Sequence, residues 1–196
     1  MTNVAIFCSG SGSNAEALMA HFENHKSIRI ALLITNKSDA FALKRAEKFG
    51  VITVFFSRNE FNKNPENIVS RLKDENINFV LLAGFLQLIP EELIDQFPDR
   101  ILNIHPALLP EFGGAGMYGH HVHEAVKEAG KLVSGLTIHL VNKEYDKGKI
   151  IFQARCRVDN HDSADDIAAR ILKMEHAHYP LIAEYFINTS TQNQSN

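Results

Sequence analysis

The feature that most constrains this chain is an alternation. Five short apolar runs, at residues 3–8, 28–35, 51–56, 79–83 and 101–105, alternate with segments of helical character. The first two runs, 3–8 and 28–35, read as fully buried strands, and the other three read as strands. The intervening segments carry apolar residues at helical spacing or helix boundary signals. Ala15, Leu18 and Met19 mark 15–21, Gly50 closes 39–49, Pro65 opens 65–75, and a short helix covers 90–96. Strands alternating with helices predict an α/β protein with a doubly wound, mostly parallel sheet and right-handed crossovers. After Pro110 the pattern changes. A glycine-rich loop over 112–119 and a helix over 121–129 precede two strands, 135–141 and 149–158. A polar turn at Asp146-Lys147-Gly148 joins those strands as a hairpin. Ser163 caps a last helix, with Asp166 three residues on, and Ile167, Ile171 and Met174 face the core.

The chain has 196 residues. That length suits one domain over 1–188, with a nucleotide-binding-like half over about 1–110 and a second half over 111–188. A chain of this size buries roughly 70% of its unfolded surface and needs no staples. Residues 189–196 are polar without an apolar anchor and read as a disordered tail. The net charge of -3 argues against a nucleic-acid partner. Cys8 and Cys156 lie far apart without ligand spacing and read as reduced apolar residues of a cytoplasmic protein. The opening run is too short for a signal segment. No apolar run approaches the roughly 20 residues of a membrane span.

Chemistry concentrates in Leu102-Asn103-Ile104-His105-Pro106. On an extended segment, Asn103 and His105 point to one side, and Pro106 ends the strand there. Open α/β sheets place ligands at such strand ends. A carboxamide donates to a developing oxyanion and an imidazole moves protons near neutral pH, a pairing suited to acyl or formyl transfer. Ser9-Gly10-Ser11-Gly12-Ser13-Asn14 follows a buried strand and opens a helix. It is either a phosphate-binding loop or a tight turn, and it matches neither the Walker nor the dinucleotide fingerprint. Asp146 is a solvated turn residue unless the turn folds back over His105. In that case its charge raises the His105 pKa. His120, His121 and His123 fit no zinc template and, beside Gly113, Gly114, Gly116 and Gly119, suggest a mobile lid. His139 is a satisfied sheet histidine or a wall of the cleft. Glu175 is a solvated helix residue or a ribose-binding carboxylate.

Together these pieces resemble the folate-dependent formyltransferases, and among them the phosphoribosylglycinamide formyltransferase family. The likeness runs from about Val4 to Pro180 and includes Leu82-Ala83-Gly84-Phe85, Ser134-Gly135-Leu136-Thr137-Ile138-His139 and Glu175-His176-Ala177-His178-Tyr179-Pro180. It implies a Rossmann-like formyltransferase fold. It also implies transfer of the formyl group of 10-formyltetrahydrofolate, as co-substrate and without a metal, to the amine of glycinamide ribonucleotide in purine biosynthesis. By the same resemblance Asn103, His105 and Asp146 are catalytic. Gly12, Ser13 and Asn14 hold the phosphate, and Glu175 takes the ribose. Leu86, Gln87, Leu88 and Ile89, with Asn103, line the folate site. The partners are then small molecules, with no nucleic acid or membrane, and the protein is a monomer or homodimer. Gln87 stands where many relatives carry arginine or another residue, and the loop 112–121 is longer and richer in glycine than in many of them. No residue around Lys63-Asn64 is assigned to the folate tail.

Three other readings share parts of this pattern. Methionyl-tRNA formyltransferase adds a C-terminal domain, and formyltetrahydrofolate deformylase adds an N-terminal one. The short stretches beyond the first strand and last helix lead us to expect neither. A non-catalytic nucleotide- or folate-binding module would not need Asn103, His105 and Asp146 intact.

Overall fold

The computed structural model describes residues 1–192. In chain order the elements are β1 (Thr2–Cys8), α1 (Ser13–Phe22), β2 (Ile28–Thr35), α2 (Ala42–Glu47), β3 (Ile52–Phe55), α3 (Arg58–Lys63), α4 (Pro65–Asp74), β4 (Ile77–Leu82), α5 (Glu91–Gln96), β5 (Ile101–His105), α6 (His120–Glu128), β6 (Val133–Leu140), β7 (Ile150–Arg157) and α7 (Ala164–Gln192). All seven strands form one sheet in the order β3-β2-β1-β4-β5-β6-β7. The first five pair in parallel, and β6 and β7 add antiparallel to β5.

Successive residues of the central strands feed two cores, which is why the runs carry no polar face. Val4, Ile6 and Cys8 of β1 pack with Leu18 and Met19 of α1 and Ile167, Ile171 and Ile187 of α7. Ala5 and Phe7 pack on the opposite face with Phe61 of α3, Ile68 and Leu72 of α4 and Leu93 of α5. At roughly 1.5–3 kcal/mol for each large apolar side chain taken from water, these two layers dominate the stabilisation. The order reverses direction between β1 and β4. The C-terminal ends of those strands therefore flank the switch point where ligands bind in such sheets.

Several boundaries differ from the sequence-based expectation. The helix expected over 39–49 is confined to Ala42–Glu47. The Ala42 N–H donates to the Gly10 carbonyl at its start, and Gly50 at φ 62 ends the segment. α3 was not expected. Ser57 and Glu60 form a capping box, and Phe61 anchors the helix in the core. α7 extends into the expected tail as far as Gln192, because Ile187 is fully buried and the Thr189 hydroxyl donates to the Tyr185 carbonyl. The rest of that expected tail, 193–196, lies outside the described residues. Ser163 caps α7 as expected. Its hydroxyl accepts the Asp166 N–H at 3.1 Å and donates to the Asp166 carboxylate at 2.6 Å.

Candidate active site

A cleft of about 720 Å³ lies over the C-terminal ends of the parallel strands. Ser9, Leu82, Gly84, Asn103 and His105 form its floor. The loop 114–119 and the β6–β7 turn close one side, and α7 closes the other through Ile171, Leu172 and Glu175. Its volume is in the range of small-molecule sites.

At one end stands the group around His105. β5 pairs antiparallel with β6, setting Asn103 opposite His139 and His105 opposite Thr137. The β6–β7 turn folds back over this pair, and Asp146 adopts φ 54 at its tip. The Asp146 carboxylate then lies 3.6 Å from His105 Nδ1, 3.5 Å from His139 Nε2 and 3.5 Å from Asn103 Nδ2. The Gly114 N–H donates to the same carboxylate at 3.0 Å. Gly113 is glycine for a steric reason. A Cβ there would run into Leu109 and approach Asp146 Cβ at 3.2 Å, so a larger residue would push the loop off the carboxylate.

The proton inventory follows from the partners. His139 Nδ1 faces the Leu140 carbonyl at 2.8 Å and must donate to it. In the neutral ring, Nε2 then accepts from Asn103 Nδ2 at 3.1 Å. His139 therefore fixes which way the Asn103 amide points. His105 has acceptors on both sides, the Phe112 carbonyl at 2.8 Å from Nε2 and Asp146 beyond Nδ1. This is the setting of an imidazolium, but burial opposes the charge. Burial outweighs Asp146 and the Phe112 carbonyl and, with His139, leaves the His105 pKa below its ordinary value. Asp146 pulls this pKa upward, as expected, but desolvation is the larger influence and sets the net direction. Burial would also raise the Asp146 carboxyl. The neighbouring His139 and His105 and the Gly114 N–H overcome it and hold the pKa below the usual range.

The other end is built from the loop after β1. Gly12 adopts φ 73, and a Cβ there would lie 2.5 Å from Ala42 Cβ, so this turn requires glycine. α2 takes up the loop's carbonyls. Ala42 N–H donates to Gly10 O, and Arg45 Nε donates to Ser11 O at 2.9 Å. The first N–H groups of α1 have no partner within the helix and favour an anion. Asn14 lines the cleft, but Gly12 and Ser13 are not among its walls. The Asn14 side chain donates to Glu175 Oε2 at 2.7 Å. Glu175 is 6% exposed, so it is not a solvated helix residue, and burial pushes its pKa up to about 7 against the pull of Asn14.

Between the two ends, the segment 86–89 lines the cleft. Leu86 and Leu88 are 37% and 39% exposed and offer apolar surface, whereas Gln87 is 7% exposed and turned inward. Gln87 accepts from Asn36 Nδ2 at 3.2 Å and donates to Asn62 Oδ1 at 2.8 Å, so its side chain braces the segment and does not reach into the cleft. Ile89 is buried in the core. Among the lid histidines, His120 bridges Glu124 and Asp165, and His121 pairs with Glu124. His123 turns into the cleft wall, where burial and the nearby His120 and His105 lower its pKa to about 4. Sequence reasoning missed the Phe112 carbonyl and the Gly114 N–H, because backbone groups carry no residue-type signal. It read Ser9 only as part of the loop, whereas its buried hydroxyl accepts the Leu86 N–H at 3.0 Å.

The formyl transferase family model matches residues 2–183. The chain is 43% identical over 181 residues to the chloroplastic phosphoribosylglycinamide formyltransferase of Arabidopsis thaliana, covering 90% of this chain and 62% of that protein. It spans 59% of the corresponding Vigna unguiculata protein, so these plant relatives are substantially longer. It is 32% identical over 198 residues to the phosphoribosylglycinamide formyltransferase of Bacillus subtilis (strain 168), covering 99% of both. The crystal structure of the Bacillus halodurans phosphoribosylglycinamide formyltransferase superposes with a TM-score of 0.88 at 32% identity, covering 96% of this chain and 97% of that one. The chain belongs to the formyl transferase family, among its phosphoribosylglycinamide formyltransferase members.

Proposed function

We propose that this protein transfers the formyl group of 10-formyltetrahydrofolate to the amine of 5-phosphoribosyl-glycinamide. The products are formylglycinamide ribonucleotide and tetrahydrofolate, and the reaction is a step of purine biosynthesis. The observation that carries the reading is the convergence of Asn103, His105 and Asp146 at one end of a cleft whose other end opens on the loop before α1. A phosphorylated acceptor fits that loop, with Gly12, Ser13 and Asn14 offering backbone N–H groups and Glu175 accepting ribose hydroxyls. Exposed Leu86 and Leu88 give a flat heterocycle its apolar wall, and backbone groups of 86–89 pair with its polar edge.

In this reaction the acceptor amine attacks the formyl carbon, and a tetrahedral intermediate forms. Negative charge grows on the formyl oxygen and positive charge on the attacking nitrogen. Asn103 donates to the oxygen. Its contact with Asp146 is long at 3.5 Å, so a full oxyanion competes for it readily. His105, in its protonated form, supplies the second donor from Nδ1, since Nε2 is held by the Phe112 carbonyl. Asp146, kept ionised, draws the proton from the attacking nitrogen, directly or through water. The Asp146–His105 pair returns a proton to the leaving nitrogen, so protons balance over the cycle. Holding both substrates in contact supplies up to roughly 7–11 kcal/mol of the barrier.

Among the described residues, no helix is long and apolar enough to cross a membrane. We place the protein in the cytoplasm, as a monomer or homodimer. The test is formyl transfer by purified protein, followed through absorbance of the deformylated folate, with the ribonucleotide present, omitted or replaced by methionyl-tRNA. Turnover that requires the ribonucleotide is the expected result. Folate consumption without any acceptor would instead identify a deformylase.

A further inference from the structure

We infer that the Asn14 side chain serves the acceptor's sugar through Glu175 and not its phosphate: the Asn14 amide holds a buried carboxylate in position to accept hydroxyl groups. The inference rests on the ribonucleotide reading above and changes the role that the sequence suggested for the Asn14 side chain.

The argument starts from what an asparagine side chain offers, one oxygen acceptor and one nitrogen donor. The Asn14 nitrogen lies 2.7 Å from Glu175 Oε2. Its oxygen is buried without a partner, and an oxygen repels a phosphate. For an anion, Asn14 thus has its backbone N–H and little else. The neighbours of Glu175 make the same point. Asn14 reaches it from α1. On α7 itself, Tyr179 stands one turn further on, but its hydroxyl donates to the Leu82 and Leu102 carbonyls at 3.0 and 3.2 Å. His176 is adjacent and feels Arg45 of α2. Among the described residues, no lysine or arginine forms an ion pair with Glu175.

A carboxylate buried without a cation stays ionised only as far as neutral donors support it. Asn14 supplies one donor. Sugar hydroxyls supply others, which couples ribose binding to the charge on Glu175. Burial has already moved the Glu175 pKa up to about 7, so this charge is sensitive to both the amide and the pH. Asn14 is in these terms a positioning residue. Removing its amide favours the neutral acid and weakens the grip on hydroxyls at a given pH.

The test is calorimetric binding of glycinamide ribonucleotide and of its 2-deoxyribose analogue to the full chain, with formyl transfer measured in parallel. We expect Asn14→Ala to weaken ribonucleotide binding about tenfold, the scale of one lost hydrogen bond to a charged group. The 2-deoxy analogue should lose much less, and the double variant with Glu175→Ala should be no weaker than Glu175→Ala alone. Wild-type affinity should fall as pH drops through about 7, and in Asn14→Ala that fall should move to higher pH. Asn14→Ser, whose side chain suits a helix start, provides the same comparison should the alanine variant fold poorly. Equal losses for the two sugars, additivity with Glu175→Ala and an unmoved pH midpoint would return Asn14 to the phosphate and overturn the inference. Binding without formyl transfer would sink the proposed activity but leave this comparison readable. A wild-type chain that binds neither nucleotide would overturn both.

Discussion

Asp146 and Glu175 stand in the same cleft, both largely withdrawn from water, yet their surroundings push them in opposite directions. Asp146 has two histidines, an asparagine amide and the Gly114 N–H around it, and it stays ionised despite burial. Glu175 has one amide, and burial dominates. The difference teaches how one fold holds two carboxylates for two tasks. A group that must enter the cycle charged, ready to take a proton, is surrounded by donors in advance. A group that needs its charge only when substrate is bound can leave the remaining donors to the substrate. Environments that separate carboxylates in this way commonly mark distinct roles.

The largest expected effect lies at the Asp146 end. His105→Ala removes a ring that touches both Asp146 and the Phe112 carbonyl and that supplies an oxyanion donor in the proposed reaction. Turnover should fall by roughly a hundredfold or more, with the folded structure retained by circular dichroism. A rate near that of the wild type would remove His105 from the chemistry and leave the two ends without a functional contrast.

Glu175→Gln tests the other end through stability. The folded-state pKa of Glu175 is raised above the unfolded value, so between pH 4.5 and about 7 the native state binds the extra proton. Stability contributed by this group is therefore lost as pH rises through that window and is lowest above it. A glutamine keeps an oxygen for Asn14 and carries no charge. The variant should be more stable than the wild type by about 3 kcal/mol at pH 8, and the gain should vanish near pH 4.5. Its ribonucleotide affinity should drop at the same time, so stability and binding trade against each other at one residue. Denaturant melts at the two pH values decide the matter. A gain that does not change with pH would mean that the carboxylate is solvated after all.

How much of this contrast was legible in the sequence depends on the kind of signal. The strands were legible because buried apolar runs such as 28–35 leave no alternative to a covered sheet, and β2 spans that same run. The pairing of Asn103 with His105 followed from alternation along a strand. Asp146 was not legible from residue type, since a turn aspartate before Lys-Gly reads as solvated until β6 and β7 carry it back over β5. The sign of the His105 shift was beyond reach, because it is a contest between burial and charge that needs coordinates. α3 was overlooked because its few residues offer one apolar anchor, Phe61, although the Ser57-x-x-Glu60 spacing of its capping box stood in the sequence. Asn14 was placed at the phosphate by its position in the loop, whereas its side chain crosses to a helix that lies 161 residues further along the chain.

Asp146→Asn sharpens the comparison at the end where charge is kept. The substitution preserves shape but removes the charge that raises the His105 proton affinity. With burial then less opposed, the His105 pKa should fall further, and the limb of the pH–rate profile that it controls should move to lower pH. The rate itself should fall at least about tenfold, since the proposed base is gone. An unchanged profile would take Asp146 out of the mechanism.

The smallest effect serves as the control for charge against packing. Tyr179 sits one turn beyond Glu175, fully buried, and ties α7 to the ends of β4 and β5 through the Leu82 and Leu102 carbonyls. Burial and the nearby Glu175 hold its pKa well above the ordinary tyrosine value, so it stays neutral wherever the protein folds. Tyr179→Phe keeps the ring in the core and deletes only the hydroxyl, leaving two carbonyls short of a donor. The cost should be about 1 kcal/mol and the same at pH 5 and pH 8. That flat response, set beside the sloping one of Glu175→Gln a single turn away, would separate titration from packing at this end of the cleft. A Tyr179→Phe cost that grew with pH would show instead that the hydroxyl helps to set the charge on Glu175, and α7 would then hold its carboxylate from both sides.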